Sequence, residues 1–300
     1  MIPKRCAPII VAGLFATITH ASVTPERVRF PSLDRVDGHA VEIEGLLLRP
    51  NIETSKPAPA VVLLHGCGGL FSSARGRETQ LAERHAVQAQ KLVDAGYYVL
   101  LPDSFGSRGM KEVCTIKSGQ RTVDAARRRL DTLGALEWLA GQRGVARDRI
   151  ALLGWSHGGS TGLATINAGR REVAAANERS AAPSVRAAVL FYPGCSSAAR
   201  NVQWRTSVPT RILIGDADDW TPAQACVDLA SKAKAHGMPL ETHVYAGAHH
   251  GFDAPSGRVR LREDVPNGVN PGKGVHVGPD PLARDDAHRR VMTFLRSMLE

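Results

Sequence analysis

The segment with the clearest potential for chemistry is Gly154-Trp155-Ser156-His157-Gly158. It follows the apolar residues 150–153 and precedes Gly159, an order that predicts a sharp turn from a strand into a helix. A serine at the top of such a turn projects its hydroxyl group beyond the sheet, and the glycines let the backbone close without clashes. Ser156 is therefore the candidate nucleophile. The alternative is a tight or phosphate-binding turn that carries no nucleophile.

A serine hydroxyl becomes a useful nucleophile beside a general base, and a histidine base needs a carboxylate to hold its tautomer. Two later segments offer these groups, the acid-rich residues 215–222 and the histidine-containing residues 247–252. Each directly follows a predicted strand, so both should reach the sheet edge at which the serine lies. Of the eleven histidines, only His249 and His250 combine this position with a place after the acids. The residues alone leave three neighbouring acids open as the partner of the base: Asp216, Asp218 and Asp219.

The elements that must position these residues alternate along the chain. Apolar and alternating runs predict strands at residues 27–30, 41–48, 60–64, 97–101, 149–153, 185–191, 211–214 and 241–245. Helical patterns predict helices at residues 79–95, 122–140, 158–168, 222–235 and 281–299. The first two strands should be antiparallel neighbours, and the alternation after them predicts a mostly parallel sheet with helices on both faces. The fold class is therefore α/β, with a Gly- and Pro-rich excursion at residues 253–281 before the last helix.

The N-terminus has the pattern of a secretory signal peptide. Lys4 and Arg5 precede an apolar stretch at residues 7–18, and small residues flank a peptidase site that ends at Ala21. We expect cleavage there, which leaves residues 22–300 as a single domain in the periplasm or outside the cell. No apolar run reaches the ~18 residues that span a bilayer, so no stable membrane insertion is expected after cleavage. The alternative is that this segment forms a first buried helix.

Charge and composition weigh against nucleic acid as a partner. The chain has 300 residues, a formal net charge of +9 and only 5% aromatic residues. Its basic residues are scattered, as at residues 127–129 and 258–262, and they are not interleaved with aromatic side chains. The pattern is typical of a solvated basic surface, with weak attraction to anionic substrates or to an anionic envelope as the alternative.

Several motifs together resemble the dienelactone hydrolase family of α/β-hydrolases, over roughly residues 40–300. They are His65-Gly66-Cys67-Gly68-Gly69, Leu101-Pro102-Asp103-Ser104-Phe105-Gly106, the serine segment, and the acid and histidine segments. The resemblance implies the α/β-hydrolase fold and a nucleophile–histidine–acid triad.

The resemblance also assigns the members of the triad. In the family the acid stands four residues before a loop proline, which implies Asp218. The histidine directly precedes a small residue and a phenylalanine, which implies His250 rather than His249. Asp216 and Asp219 are then left to loop hydrogen bonds and to negative charge at a helix N-terminus.

The oxyanion of an acyl-transfer transition state needs preset N–H donors. The residue after the nucleophile supplies one, the backbone N–H of His157, and the resemblance implies that Cys67 supplies the other. The side chain of His157 is expected to form a cleft wall, and His65 to order the backbone.

Two candidate substrate-binding residues follow. Trp155 stands beside the nucleophile, and Arg108 lies one residue from the first of two arginines that hold a substrate carboxylate in the family. The second arginine would fall at Ala254 and is missing, and the best-known members have cysteine where this chain has Ser156. The resemblance therefore does not imply dienelactone as the substrate.

These residues predict hydrolysis of a small carboxylic ester or lactone through an acyl-enzyme, without a metal or an organic cofactor. A peptidase or an acyltransferase could use the same triad, although no propeller domain that would screen peptides is evident. An alternative of another class is a ligand-binding envelope protein that keeps the fold without catalysis.

Four cysteines remain after removal of the signal peptide, and an oxidising compartment favours their pairing. Four cysteines allow three pairings, but the predicted fold narrows the choice. The loops of Cys67 and Cys114 both leave the catalytic edge of the sheet, and Cys195 and Cys226 lie on neighbouring units. We expect disulfides Cys67–Cys114 and Cys195–Cys226, with four free, buried thiols as the alternative. The cysteines include no Cys-x-x-Cys pair, so the sequence does not predict a structural zinc site.

Overall fold

A central sheet organises the fold in the computed structural model, which describes residues 24–50, 56–178 and 185–300. Its strands, in chain order, are β1 (Glu26–Val36), β2 (His39–Leu48), β3 (Ala58–Leu64), β4 (Tyr98–Pro102), β5 (Val145–Trp155), β6 (Val185–Phe191), β7 (Thr210–Gly215) and β8 (Leu240–Tyr245). The spatial order is β1-β2-β4-β3-β5-β6-β7-β8. The pairs β1–β2 and β2–β4 are antiparallel, and the remaining pairs are parallel. The predicted α/β class and the predicted antiparallel start of the sheet are confirmed.

The burial of the strands follows their sequence patterns. In β2 the side chain of Ile43 is fully buried whereas its neighbours Glu42 and Glu44 are exposed, as expected for a strand with one solvated face. In β3 every residue from Ala60 to Leu64 is at most 2% exposed, as expected for a parallel strand covered on both faces.

The first hairpin differs from its prediction. β1 continues through Pro31 to Val36, six residues beyond the expected end. An edge strand tolerates the proline because its missing N–H need not serve a second neighbour. The turn itself is short, since Asp37 and Gly38 both have positive φ, the conformation of a two-residue hairpin turn.

The helices cover the sheet and fix its loops. They are α1 (Glu83–Asp94), α2 (Ala125–Ala140), α3 (His157–Thr165), α4 (Arg171–Glu178), α5 (Ser196–Arg200), α6 (Ala223–Ala235) and α7 (Pro281–Leu299). α1 packs against β3 and β4, α7 packs against β5 and β6, and α2 packs against α3. The short helices α4 and α5 were not predicted, and α2 begins three residues later than expected because the Asp124 carboxylate caps it by accepting from the Arg127 N–H.

The excursion at residues 253–281 is more ordered than its composition suggests. It contains a small hairpin of β9 (Arg260–Arg262) and β10 (Val275–Val277). Val277 forms an isolated bridge with His250, and the Gly278 N–H donates to the His250 carbonyl at 3.1 Å. The excursion therefore lies against the histidine loop.

Two disulfides are present, one between two loops and one between the start of α5 and helix α6. Cys67 is bonded to Cys114 and Cys195 to Cys226, with Cα–Cα distances of 4.9 and 5.0 Å. These are the two pairs expected from the sequence.

The predicted signal peptide, residues 1–21, lies outside the described residues. In the part of the chain that the structure covers, no helix has the length and apolar character needed to cross a bilayer.

Candidate active site

Ser156 occupies a strained turn between β5 and α3. Its φ of 52° and ψ of −114° lie in a region that non-glycine residues rarely adopt. The Ser156 N–H donates to the Phe191 carbonyl at 2.9 Å, which ties the turn to the next strand. A Cβ atom at Gly158 would lie 2.0 Å from the Leu64 carbonyl oxygen, so the turn can close only with glycine there. The predicted strand–turn–helix geometry is present.

His250 connects the serine to the acid loop. Its Nε2 lies 3.0 Å from Ser156 Oγ, and its Nδ1 lies 2.8 Å from Asp218 Oδ2. Because a carboxylate only accepts, Nδ1 carries the hydrogen and Nε2 is free to accept the serine proton. The structure thus brings the three predicted residues into one hydrogen-bonded chain.

Asp218 is held in position by its own loop. Its Oδ1 accepts from the backbone N–H groups of Trp220 and Thr221, at 2.9 and 2.8 Å. The Thr221 hydroxyl lies 3.0 Å from Oδ2 and 3.0 Å from the Tyr192 carbonyl. Asp218 is only 3% exposed, so these contacts fix the oxygen that faces the histidine. Thr221 was not singled out from the sequence, although its place three residues after Asp218 is a common capping position.

The neighbouring acids and the second histidine stabilise loops instead. Asp216 accepts from the Gly247 N–H at 2.7 Å, and Asp219 accepts from the backbone and ring of His276. His249 Nδ1 lies 3.0 Å from the Ala217 carbonyl. None of the three is bonded to the serine or to His250, which agrees with the roles expected for the two acids.

Two backbone N–H groups beside the serine are free to serve an oxyanion. Among the described residues, the N–H groups of Cys67 and His157 have no protein acceptor. The loop of Cys67 approaches the serine closely, since a Cβ at Gly66 would lie 3.7 Å from Ser156 Cβ. The disulfide to Cys114 and the 2.8 Å bond from the Val113 N–H to the Cys67 carbonyl hold this loop.

Two clefts meet at Ser156. Cleft A has a volume of about 760 Å³ and cleft B of about 460 Å³. Ser156, Cys67 and Trp220 line both. Cleft A is also lined by polar and cationic residues, which include Lys117, Arg121, His157, Ser160 and Asn267. Cleft B is lined by His250 and by four arginines, namely Arg84, Arg258, Arg260 and Arg262.

The expectation that Arg108 binds the substrate is contradicted by its position. Its guanidinium donates to Asp131 at 2.8 Å, to Asp34 at 2.9 Å and to the Ser104 carbonyl at 2.9 Å. Arg108 lines neither cleft. Since its donors are occupied by two carboxylates, it is a structural ion-pair residue. The cationic residues that do line the clefts lie in other segments of the chain. Their positions in the sequence did not indicate that they lie near Ser156.

Trp155 lies under cleft B as part of a buried network. It is 1% exposed, and its indole N–H donates to Asp253 at 2.7 Å. Asp253 also accepts from the Tyr192 hydroxyl at 2.5 Å and lies 3.1 Å from Arg84. The Tyr192 ring lies 4.5 Å from the His250 ring, so this network packs against His250. Asp253 and Tyr192 carried no sequence motif and were not predicted.

His65 orders the loop that follows β3. Its Nδ1 lies 2.9 Å from the Gly66 carbonyl, which can only accept, so Nδ1 donates. Burial, with the nearby Arg128 charge, holds the pKa of His65 well below its usual range. The neutral ring therefore acts as a backbone brace next to Cys67, as expected.

No metal site is evident at this position. In residues 24–50, 56–178 and 185–300 there is no group of three or more His, Cys, Asp and Glu side chains placed to hold an ion.

The sheet order, the serine turn and the acid–histidine geometry define the fold as that of an α/β-hydrolase. The chain belongs to the Dienelactone hydrolase family, whose sequence profile matches residues 43–299. The protein is accordingly a hydrolase of the α/β class. No curated protein sequence matches the chain.

Solved structures share this fold at low sequence identity. A putative dienelactone hydrolase from Klebsiella pneumoniae is 15% identical, with a TM-score of 0.62 over 91% of this chain and 99% of that one. Thermogutta terrifontis esterase 2, phosphoramylated by tabun, is 17% identical, with a TM-score of 0.61 over 94% and 97%. Pyrococcus horikoshii acylaminoacyl peptidase is 17% identical, with a TM-score of 0.61 over 94% of this chain and 42% of that one.

Proposed function

We propose that this protein is a serine hydrolase that cleaves a carboxylic ester or lactone through an acyl-enzyme on Ser156. The observation that carries the proposal is the chain Ser156 Oγ, His250 and Asp218, with contacts of 3.0 and 2.8 Å, at the junction of two clefts. The N–H groups of Cys67 and His157, which have no acceptor in the part of the chain that the structure describes, support it. A nucleophile, a base and an oxyanion site are the three parts that acyl transfer requires.

In the proposed reaction His250 Nε2 takes the serine proton while Oγ attacks the substrate carbonyl. The N–H groups of Cys67 and His157 stabilise the tetrahedral oxyanion, and Asp218 stabilises the imidazolium. His250 then protonates the leaving oxygen as the carbon–oxygen bond breaks. Water attacks the acyl-enzyme with His250 again as the base, and the acid and free serine are released.

The geometry of the site favours ester hydrolysis over the alternative of an envelope protein that binds a ligand without catalysis. A serine in a strained turn costs on the order of 1–3 kcal/mol, which a purely ligand-binding role does not require. The buried hydrogen bonds to Asp218 would also not help to bind a ligand, because Asp218 lines neither cleft.

The test is turnover of short 4-nitrophenyl esters and lactones by wild type and by Ser156→Ala. We expect hydrolysis by wild type and a decrease in kcat of about 10³-fold or more in the variant. Lack of turnover of every ester and lactone by folded wild type would contradict the proposal. Turnover of peptide derivatives, or transfer to an added alcohol in preference to water, would redirect it to a peptidase or an acyltransferase.

We also propose that residues 1–21 are a signal peptide and that residues 22–300 act as one exported domain. The two disulfides support this, since such bonds persist in oxidising compartments. Expression with a secretion-competent host should yield a mature chain that begins at Ser22. A mature N-terminus at Met1 in the exported fraction would contradict the proposed cleavage.

A further inference from the structure

Arg128 is a buried cation that the proposed mechanism leaves without a role. It lies on α2, is 1% exposed, and stacks over the Phe105 ring at 5.0 Å. Within the described residues its guanidinium forms no salt bridge, although the charges of Asp131 and Asp103 act on it from farther away and raise its pKa. Burial lowers the pKa of Arg128 to about 10, so the group remains charged at neutral pH. A buried guanidinium that forms no direct ion pair is costly, and the more distant acids Asp131 and Asp103 offset only part of that cost.

Among the residues that the structure describes, this guanidinium forms a hydrogen bond with one side chain, that of His157. Arg128 Nη1 lies 2.8 Å from His157 Nδ1. A guanidinium can only donate, so Nδ1 accepts and the ring hydrogen must be on Nε2. Burial and the charges of Arg128 and Arg121 hold the pKa of His157 well below its usual range, and the ring is neutral. Arg128 therefore selects a single tautomer.

The Nε2–H group of this tautomer is available to a substrate. No described residue accepts a hydrogen bond from it. It is also not among the fully buried side-chain atoms that lack a hydrogen-bond partner. His157 lines cleft A and directly follows the nucleophile. Its side chain thus places one fixed donor in that cleft.

Cleft A should hold the acyl half of the substrate. The leaving oxygen must lie near His250 Nε2, which protonates it. His250 lines cleft B and not cleft A. The leaving group therefore occupies cleft B, and the acyl chain extends into cleft A past His157.

We propose that the His157 Nε2–H donates a hydrogen bond to an oxygen atom in the acyl chain of the substrate, so that the enzyme prefers oxygen-bearing acyl groups. Arg128 is the positioning residue, because it fixes the tautomer that makes the donor. This inference rests on the proposed esterase function and specifies its acyl selectivity.

The test compares two pairs of isosteric 4-nitrophenyl esters, 3-methoxypropanoate with pentanoate and methoxyacetate with butanoate. The ratio of kcat/KM within a pair is measured for wild type, His157→Leu and His157→Gln. Intrinsic reactivity, the oxyanion site and the amount of active enzyme cancel when these ratios are compared between variants. His249→Leu is the matched control, since His249 lines neither cleft.

We expect the preference for the ether in at least one pair to fall about 3- to 10-fold in His157→Leu, the range of one neutral hydrogen bond. His157→Gln, whose amide can donate from a similar position, should retain most of it, and the control should retain all of it. Equal ratios in wild type and His157→Leu for both pairs would overturn the inference. If wild type hydrolyses none of these four esters or of the other esters and lactones named above, the proposed function is overturned, and the inference with it.

A spectroscopic measurement covers the case in which His157→Leu does not fold. The ¹⁵N shifts of the wild-type His157 ring should show Nε2 protonated and Nδ1 unprotonated at neutral pH. Arg128→Met should give a mixture of tautomers and a lower ether preference. A wild-type ring protonated on Nδ1 would overturn the inference.

Discussion

Removing the Cys67–Cys114 disulfide should reduce both stability and turnover, because the bond closes a long loop beside the proposed oxyanion site. The two cysteines are 47 residues apart in sequence. A closed loop of that length lowers the entropy of the unfolded chain by about 14 cal/mol/K, or about 4 kcal/mol at 25 °C. For a chain of this size that corresponds to a decrease in Tm of roughly 7 °C.

The matched control is the second disulfide. Cys195 and Cys226 are 31 residues apart, so the same relation gives about 3.7 kcal/mol for its removal. The two double alanine variants should therefore lose nearly equal stability. They should differ in catalysis, because only the first releases the loop that carries the Cys67 N–H.

The assay is ester turnover at 25 °C, after thermal denaturation has shown that both variants are folded. We expect kcat to fall by about 10-fold or more in Cys67→Ala/Cys114→Ala, since a misplaced oxyanion donor weakens transition-state stabilisation. The decrease in Cys195→Ala/Cys226→Ala should be smaller. Equal decreases in kcat, or a larger decrease in the control, would refute the idea that the first bond positions the oxyanion donor.

Three further predictions follow from the site and the buried groups. His250→Ala should lower kcat by about 10³-fold or more, whereas His249→Ala should affect mainly stability; reversed phenotypes would show that the base is misassigned. Asp218→Asn should impair kcat far more than Asp216→Asn, because only Asp218 sets the tautomer of the base, and similar losses would contradict this. Burial lowers the pKa of His85 to about 4 in the folded protein, whereas the unfolded chain binds this proton near pH 6.5. The free energy of unfolding therefore keeps its full value above pH 6.5 and decreases as the pH falls towards 4. Urea unfolding at pH 7.5 and 5.0 should show that wild type loses about 2 kcal/mol more than His85→Gln, and equal losses would be inconsistent with a buried neutral ring.

The serine turn and the sheet could be predicted because they depend on local patterns. The apolar residues before Ser156 and the glycines after it leave few conformations other than a strand, a turn and a helix. Parallel strands then place every following loop at one edge, so the acid and histidine loops had to converge on the serine. That reasoning required no knowledge of side-chain contacts.

The choice between neighbouring residues required more than the pattern. Asp216, Asp218 and Asp219 share one loop, and which carboxylate faces inward depends on hydrogen bonds from Trp220 and Thr221. The resemblance to a family supplied that choice, and the structure shows its physical basis.

Long-range pairing explains why the prediction for Arg108 was wrong. Arg108 lies near the expected position in sequence, but Asp34 and Asp131 are 74 and 23 residues away and capture its guanidinium. The hairpin within the excursion was likewise not predicted, because contacts with His250 and Asp219, rather than its own composition, order it. Contacts of this kind have no signature in a single sequence.

The most direct test of the central claim is to trap the acyl-enzyme. Wild type and Ser156→Ala would be treated with a fluorophosphonate, and intact mass and peptide mapping would follow. We predict one adduct per wild-type chain, on the peptide that contains Ser156, and none on the variant. An adduct of equal yield on both proteins, or one mapped to another serine, would contradict the assignment of Ser156 as the nucleophile.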